Sequence, residues 1–330
     1  MNHELTIIVT GIGAIIGQGI ISSLRDIGSG IKIVGVDRNP RCSSRQIVDE
    51  FESKPECDEA SQSYLDFWIE LVSRHQVKLI FPSVDADVRF FNMHRELFYT
   101  LRVSVALNSP KLLQATTNKW LFHQDISQLD IEVIPSCCPD SWITAIYTLG
   151  APPFILKPLE GSGSQGIHLI EDELDFNYFS AKCDSEWMLQ KFVGSDEQEY
   201  TVGIFGFGDG HYIGPIRFLR RLASAGCTQQ AEVVEEIPVM DDVIRKLCVY
   251  YQPEGPTNFQ FRISDEKAYL LEINPRFSSS NSLRTAFGFN EADMSIKYYF
   301  NGINPDMPTI RKGIGWRYFA DRVEYDSNID

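Results

Sequence analysis

The sequence predicts an α/β protein: a doubly wound parallel sheet over the N-terminal third, then an α+β region built on antiparallel strand pairs. Three observations carry this prediction. Strand and helix signals alternate through the N-terminal third. A strand-like run, Phe154–Pro158, meets a second, Ile167–Ile170, across a Gly/Ser tip. Further on, Asn258–Ile263 and Tyr269–Ile273 alternate polar and apolar residues on either side of Asp265, Glu266 and Lys267.

Leu5–Thr10 reads as a strand, an apolar and β-branched run bounded by Gly11. Gly11–Gly17 reads as a tight turn, Gln18–Asp26 as a helix and Ile31–Val36 as a second strand ending at Asp37. Tyr64–His75 is helical by spacing, with Leu65, Trp68, Ile69 and Val72 on one stripe. Lys78–Pro82 is a third strand leading into a loop at Asp85, and Val103–Ala106 a fourth. A helix is expected at Lys111–Leu121. Thr201–Phe207 and Tyr212–Phe218 are strands, separated from the last pair by a helix at Asp241–Tyr251. The expected organisation is an N-terminal α/β domain at 1–109, a small mobile part at 110–190 and a C-terminal part at 191–330.

With 330 residues the chain can bury several cores. Acids outnumber bases 45 to 30, a net charge of −15, which argues against a nucleic-acid-coating surface but leaves room for a local basic cleft. Seven cysteines without a Cys-x-x-Cys pair imply reduced thiols in a cytoplasm. Residues 5–21 are apolar, yet Glu4 precedes them and four glycines interrupt them, so a strand–turn–helix start is expected rather than a leader. No other stretch is long enough to span a membrane.

Side chains two apart on a strand share a face. Asn258, Gln260 and Arg262 therefore lie together, as do Glu272 and Asn274. A three-residue loop sets Gln260 across from Glu272 and Asn258 across from Asn274, with Phe259, Phe261, Leu271 and Ile273 on the opposite face. Such hard oxygen ligands suit Mg²⁺, which is usually shared with substrate phosphates. The plain alternative is an amphipathic hairpin with a wet side. Upstream, the tip at Gly161, Ser162, Gly163 and Ser164 offers backbone amides to phosphate oxygens, and Lys157 adds a point charge.

Gly11, Gly13 and Gly17 with Asp37 resemble a dinucleotide fingerprint, so a nicotinamide-dependent oxidoreductase or epimerase is a second reading. Tyr178 and Lys182 match a Y-x-x-x-K pattern that points the same way. Arg217, Arg220 and Arg221 form a basic cluster that either receives a substrate carboxylate or balances an acidic surface.

Asn118-Lys119-Trp120, Ile155–Pro158 with the Gly161–Gly166 loop, Gln190–Val193, Glu199–Val202, Asn258–Gln260 and Leu271–Arg276 occur in the order of the ATP-grasp superfamily. The chain resembles that family, in particular one ATP-binding half of the carbamoyl phosphate synthase large subunit. The resemblance implies an ATP-grasp fold behind a Rossmann-like N-terminal domain of a kind that usually does not bind NAD. It implies ATP with Mg²⁺, or Mn²⁺ in its place, and ligation of a carboxylate to an amine through an acyl phosphate. Lys119 and Lys157 would hold the phosphates, and Gln190, Lys191, Phe192 and Val193 would form the linker at the adenine edge. Glu199, or Glu197 instead, would accept from the ribose. Gln260, Glu272 and Asn274 would hold the metal, and Arg276 would face the transferred phosphoryl group. Asp37 and Asp85 would line the substrate cleft. Two departures stand out: Gln190 and Gln260 are neutral where many relatives carry an acid, so Gln260 is expected to bind metal less tightly. A single ATP-binding unit argues against a full carbamoyl phosphate synthase. Small-molecule substrates and no nucleic-acid or membrane partner are expected, and a homodimer is compatible with the resemblance. A non-catalytic nucleotide-binding subunit is a third reading.

Overall fold

The computed structural model describes residues 5–161, 166–223, 226–318, 320, 321 and 323. The first sheet comprises β1 (Leu5–Thr10), β2 (Ile31–Asp37), β3 (Glu50–Ser53), β4 (Leu79–Phe81) and β5 (Ser104–Val105), all parallel, in the order β3-β2-β1-β4-β5. Helices α1 (Ile15–Ile27), α2 (Gln62–Arg74), α3 (Asp85–Met93) and α4 (Arg95–Thr100) lie between these strands in sequence. Two cores, one holding Ile7, Val9 and Ile20 and the other Ile8, Val34 and Trp68, flank the sheet, as a doubly wound sheet requires. Strand order reverses between β1 and β4, and the loops after them carry Gly11 and Asp85 to the same end.

Helix α1 begins earlier than the spacing implies. Gly17 is a helical residue whose added Cβ would lie 2.5 Å from the carbonyl oxygen of Gly11, so it serves close approach of α1 to β1. The expected helix Lys111–Leu121 is two helices, α5 (Pro110–Ala115) and α6 (Lys119–Ile126). The cause is Asn118, whose side chain accepts from the Trp120 and Leu121 amides and starts α6 afresh.

The second sheet is antiparallel. It comprises β6 (Ser136–Cys137), β7 (Phe154–Pro158), β8 (His168–Ile170) and β9 (Trp187–Lys191), in the order β6-β9-β7-β8. Helices α7 (Trp142–Leu149) and α8 (Glu173–Lys182) pack on it through Ala145, Phe154, Phe176 and Leu189.

The third sheet is the largest, in the order β14-β13-β10-β11-β12-β15. Its members are β10 (Glu199–Phe207), β11 (Tyr212–Leu222), β12 (Thr228–Val233), β13 (Glu254–Ser264), β14 (Lys267–Asn274) and β15 (Ile314–Trp316). Helix α9 (Pro238–Tyr251) covers one face. Leu112 of α5 and Phe122 of α6 join that core beside Val202, Phe259 and Ile273. Helices α10 (Asn281–Ala286) and α11 (Glu291–Ser295) follow β14. Ala292 of α11 packs with Phe277 into the core between β1 and α1, which ties the third sheet to the first.

The β13–β14 register is the one the sequence implies, Asn258 opposite Asn274 and Gln260 opposite Glu272, but the turn is not. Ser264 pairs with Lys267, leaving a two-residue turn in which Asp265 and Glu266 both have positive φ, 49° and 59°. The register then shifts between Gln260 and Phe261, whose partners are Glu272 and Leu270, so Leu271 is the extra residue of a bulge. The bulge restores the expected pairs. It also brings Leu271, expected on the apolar face, into the cleft wall beside Glu272.

Candidate active site

A cleft lies where the three sheets meet. Its two connected parts measure about 450 and about 910 Å³ and share Lys119, Lys157, Gly161, Gln190, Glu272, Asn274 and Arg276. Most of the sequence-selected residues therefore meet at one place.

Lys157, on β7, is buried and donates to Gln190 Oε1 at 2.8 Å. Burial pushes its ammonium down to about 8; Glu272 opposes the shift and Lys119 adds to it. Gln190 Nε2 donates to Ser136 Oγ at 3.0 Å, so this amide orients the lysine, a role a carboxylate could not fill without closing an ion pair. Lys119 begins α6 and donates from Nζ to the Gly161 carbonyl at 2.8 Å. Its pKa is also lowered by burial, against the pull of Glu272, Asp85 and Glu160. Ser162, Gly163 and Ser164, the remaining tip residues, lie outside the described residues.

Lys191, Phe192 and Val193 line the smaller cavity with Ile134, Ile155 and Leu222, apolar walls suited to a flat ring. These aliphatic walls carry no pattern that marks them in sequence.

Glu199 lines the same cavity but is 4% exposed and already engaged. Its Oε1 accepts from Arg220 at 2.7 and 3.1 Å, and its Oε2 from Arg262 at 2.9 and 3.0 Å. Arg262 also stacks on Phe192, 4.7 Å from the ring centre. Glu197 lies in an exposed turn and does not line the cleft. Of the arginine cluster, only Arg220 lines the cleft. Strand alternation explains this: Arg220 and Leu222 of β11 turn inward, while Arg217 and Arg221 belong to the other face. Arg217 is locked on Asp241 at 2.7 and 2.8 Å, and Arg221 is exposed. Arg262 was legible from its alternation with Gln260; its hold on Glu199 was not.

At the other end, Glu272 Oε1 accepts from Gln260 Nε2 and from Asn274 Nδ2, the latter at 2.8 Å. Gln260 Oε1 accepts from Arg220. Asn258 is buried, its Oδ1 taken by Thr201, at 2.7 Å, and by Arg284. Arg276 reaches into both cavities and pairs with Asp85, which lines the larger one. Among the described residues no group of three or more His, Cys, Asp or Glu is placed to hold a metal. The β13–β14 wall of the cleft instead offers one carboxylate, Glu272, and neighbouring amides, a hard oxygen set of the kind Mg²⁺ shares with phosphates.

The N-terminal glycine turn is closed from within. Asp37 Oδ2 accepts from the Gly13 amide at 2.7 Å, and Oδ1 accepts from the Asn39 amide at 2.8 Å. Asp37 thus occupies a backbone amide of the turn that a dinucleotide phosphate would approach. Asp37 lines neither part of the cleft. Tyr178 and Lys182 lie on α8, in the second sheet's layer, bonded to each other.

No helix among the described residues is long and apolar enough to cross a membrane.

Residues 184–321 match the family described as ATP-grasp in the biosynthetic pathway with Ter operon, and residues 7–106 match the PylC-like N-terminal domain. An uncharacterized protein, y4rH, of Sinorhizobium fredii is 27% identical over 143 residues, 39% of this chain and 29% of that one. The carbamoyl phosphate synthase large chain of Vibrio cholerae is 26% identical over 196 residues, 53% of this chain and 17% of that one. The chain thus spans less than a third of the length of either curated relative. Among solved structures, N5-carboxyaminoimidazole synthetase from Staphylococcus aureus complexed with ADP is similar at TM-score 0.73 and 17% identity, covering 94% of this chain and 81% of that one. Biotin carboxylase from Campylobacter jejuni follows at TM-score 0.71 and 15% identity, covering 94% and 74%. L-amino acid ligase from Bacillus licheniformis gives TM-score 0.66 at 11% identity, covering 91% and 75%. The parallel N-terminal sheet and the two antiparallel sheets around a cleft agree with these matches: residues 184–321 belong to an ATP-grasp domain and residues 7–106 to a PylC-like N-terminal domain.

Proposed function

We propose that the protein is an ATP-dependent ligase that joins a carboxylate to an amine and releases ADP and phosphate. One observation carries the reading: Lys119 of α6, Lys157 of the second sheet, and Glu272, Asn274 and Arg276 at the end of the third line one cleft. The carboxylate attacks the γ-phosphate to give an acyl phosphate, and the amine then displaces phosphate. Such chemistry needs positioning and charge neutralisation more than a protein nucleophile. The apolar pocket beside Phe192 and Val193 takes the adenine. Lys119 and Lys157 hold the phosphates, and Arg276 offers its fork to the transferred group. Glu272 and Asn274 would hold Mg²⁺, which neutralises the phosphate tail when bound. The glycine tip on the second sheet would exclude water from the acyl phosphate. In this reading the working parts are the N-terminal domain 1–109, the lid 110–190 and the metal-binding part 191–330. The substrates are small molecules, the setting is the cytoplasm, and a homodimer is compatible with it.

The similar structures, a synthetase, a carboxylase and an amino acid ligase, support ligation in general and leave the substrate pair to experiment. The nicotinamide reading has no comparable support, because Asp37 occupies the Gly13 amide. ATP with Mg²⁺ should raise the thermal transition, Glu272→Gln should reduce that rise, and NADH should produce none. A shift with NADH alone, or none with ATP, would overturn the reading. Phosphate release that needs both a carboxylate and an amine separates a ligase from a binding subunit.

A further inference from the structure

We propose that Arg220 stands in for a second cation, so that the cleft takes one divalent ion per bound nucleotide. This rests on the ATP reading above. Gln260, the neutral residue of the metal face, is held at both ends: Arg220 donates to its Oε1, and its Nε2 donates to Glu272 Oε1. Chemistry fixes that orientation. A guanidinium only donates and a carboxylate only accepts, so turning the amide over would set N–H against N–H and oxygen against oxygen. Asn274 Nδ2 also donates to Glu272 Oε1, at 2.8 Å. The oxygens left without a partner among the described residues are Glu272 Oε2 and Asn274 Oδ1, enough for one shared cation.

Arg220 is 5% exposed, and its Nε and Nη2 are fixed on Glu199 Oε1 at 3.1 and 2.7 Å. Glu199 is divided between Arg220 and Arg262, so the Arg220 charge is only partly countered. A dication on Gln260 Oε1 would sit one coordination bond from an oxygen already bonded to that guanidinium, a like-charge contact in a poorly solvated place. Nη1 of Arg220 has no partner among the described residues, and the side chain lines the smaller cavity. A planar donor there neutralises phosphate oxygens where a second ion would otherwise be needed. Gln260 then orients Glu272 and Arg220 and ligates nothing.

The test counts ions without turnover. Protein is saturated with the non-hydrolysable analogue AMP-PNP, bound nucleotide is counted by calorimetry, and free Mn²⁺ by electron paramagnetic resonance. The wild type should retain one Mn²⁺ per bound analogue. Arg220→Met, which frees Gln260 Oε1 and removes the charge, should retain two. Two ions in the wild type overturn the proposal while leaving ATP binding intact, as does a folded Arg220→Met that binds analogue with one. If that variant does not fold, the wild-type count decides alone. No analogue bound at all would overturn the ATP reading and this proposal with it.

Discussion

Arg276 donates from Nε and Nη2 to the two oxygens of Asp85, at 2.6 and 3.1 Å, across 191 positions of sequence. The pair ties the end of the β13–β14 hairpin to the start of α3, at the point where strand order reverses in the first sheet. Arg276 is largely buried and Asp85 a third exposed, so solvent screens the pair. Asp85→Ala should cost about 1 kcal/mol, read from urea unfolding. Arg276→Ala should lower ATP-dependent phosphate release by about 10²–10³-fold while keeping most of the nucleotide-induced thermal shift. An equal loss of binding and turnover would show that Arg276 holds the ground state instead.

Lys157 sets a pH limit. Its free-protein pKa is about 8, lowered chiefly by burial. Phosphate beside it would favour the charged form and raise that pKa, so nucleotide binding should take up protons near pH 8. Affinity should be full below pH 8 and fall as pH rises through it. Calorimetry in buffers of different ionisation enthalpy measures the uptake, and Lys157→Met should abolish it. Stability runs the other way. The unfolded lysine keeps its proton to its ordinary pKa, so between about 8 and that value the unfolded chain binds more protons and folding becomes more favourable with pH.

Beneath the cleft, Arg284 and Glu291 are an ion pair at 0% and 1% exposure, joined at 2.8 Å. Arg284 also donates to Asn258, and Gly203 leaves the room: a Cβ there would lie 2.5 Å from the guanidinium. Glu291→Ala strands a buried cation and should cost about 3–5 kcal/mol. The double variant Arg284→Met/Glu291→Leu should cost less than Glu291→Ala alone, read from chemical denaturation.

Asp37 separates the two nucleotide readings. Asp37→Asn weakens the bonds to the Gly13 and Asn39 amides and should cost about 1–2 kcal/mol. The thermal shift with ATP and Mg²⁺ should be unchanged, and NADH should still give none. A variant that loses its ATP shift would place the glycine turn in the nucleotide site.

Local pattern alone carried much of this protein. Apolar runs identified four of the five strands of the N-terminal sheet, missing the polar β3, and the β7–β8 hairpin, while alternation identified the β13–β14 hairpin, because side chains two apart must share a face. An expected three-residue loop placed Gln260 opposite Glu272, a pairing that puts Phe259 and Ile273 together in the core. Spacing could not reveal that the register is reached through a tighter turn and a bulge, because the two routes end in the same pairs. Which arginine faces the cleft, that Glu199 is shared by Arg220 and Arg262, and that Asp37 closes the Gly13 turn were decided only in three dimensions. Those bonds join residues whose partners are chosen by sheet order and loop path. A chain read one neighbour at a time holds no record of which distant donor will arrive first.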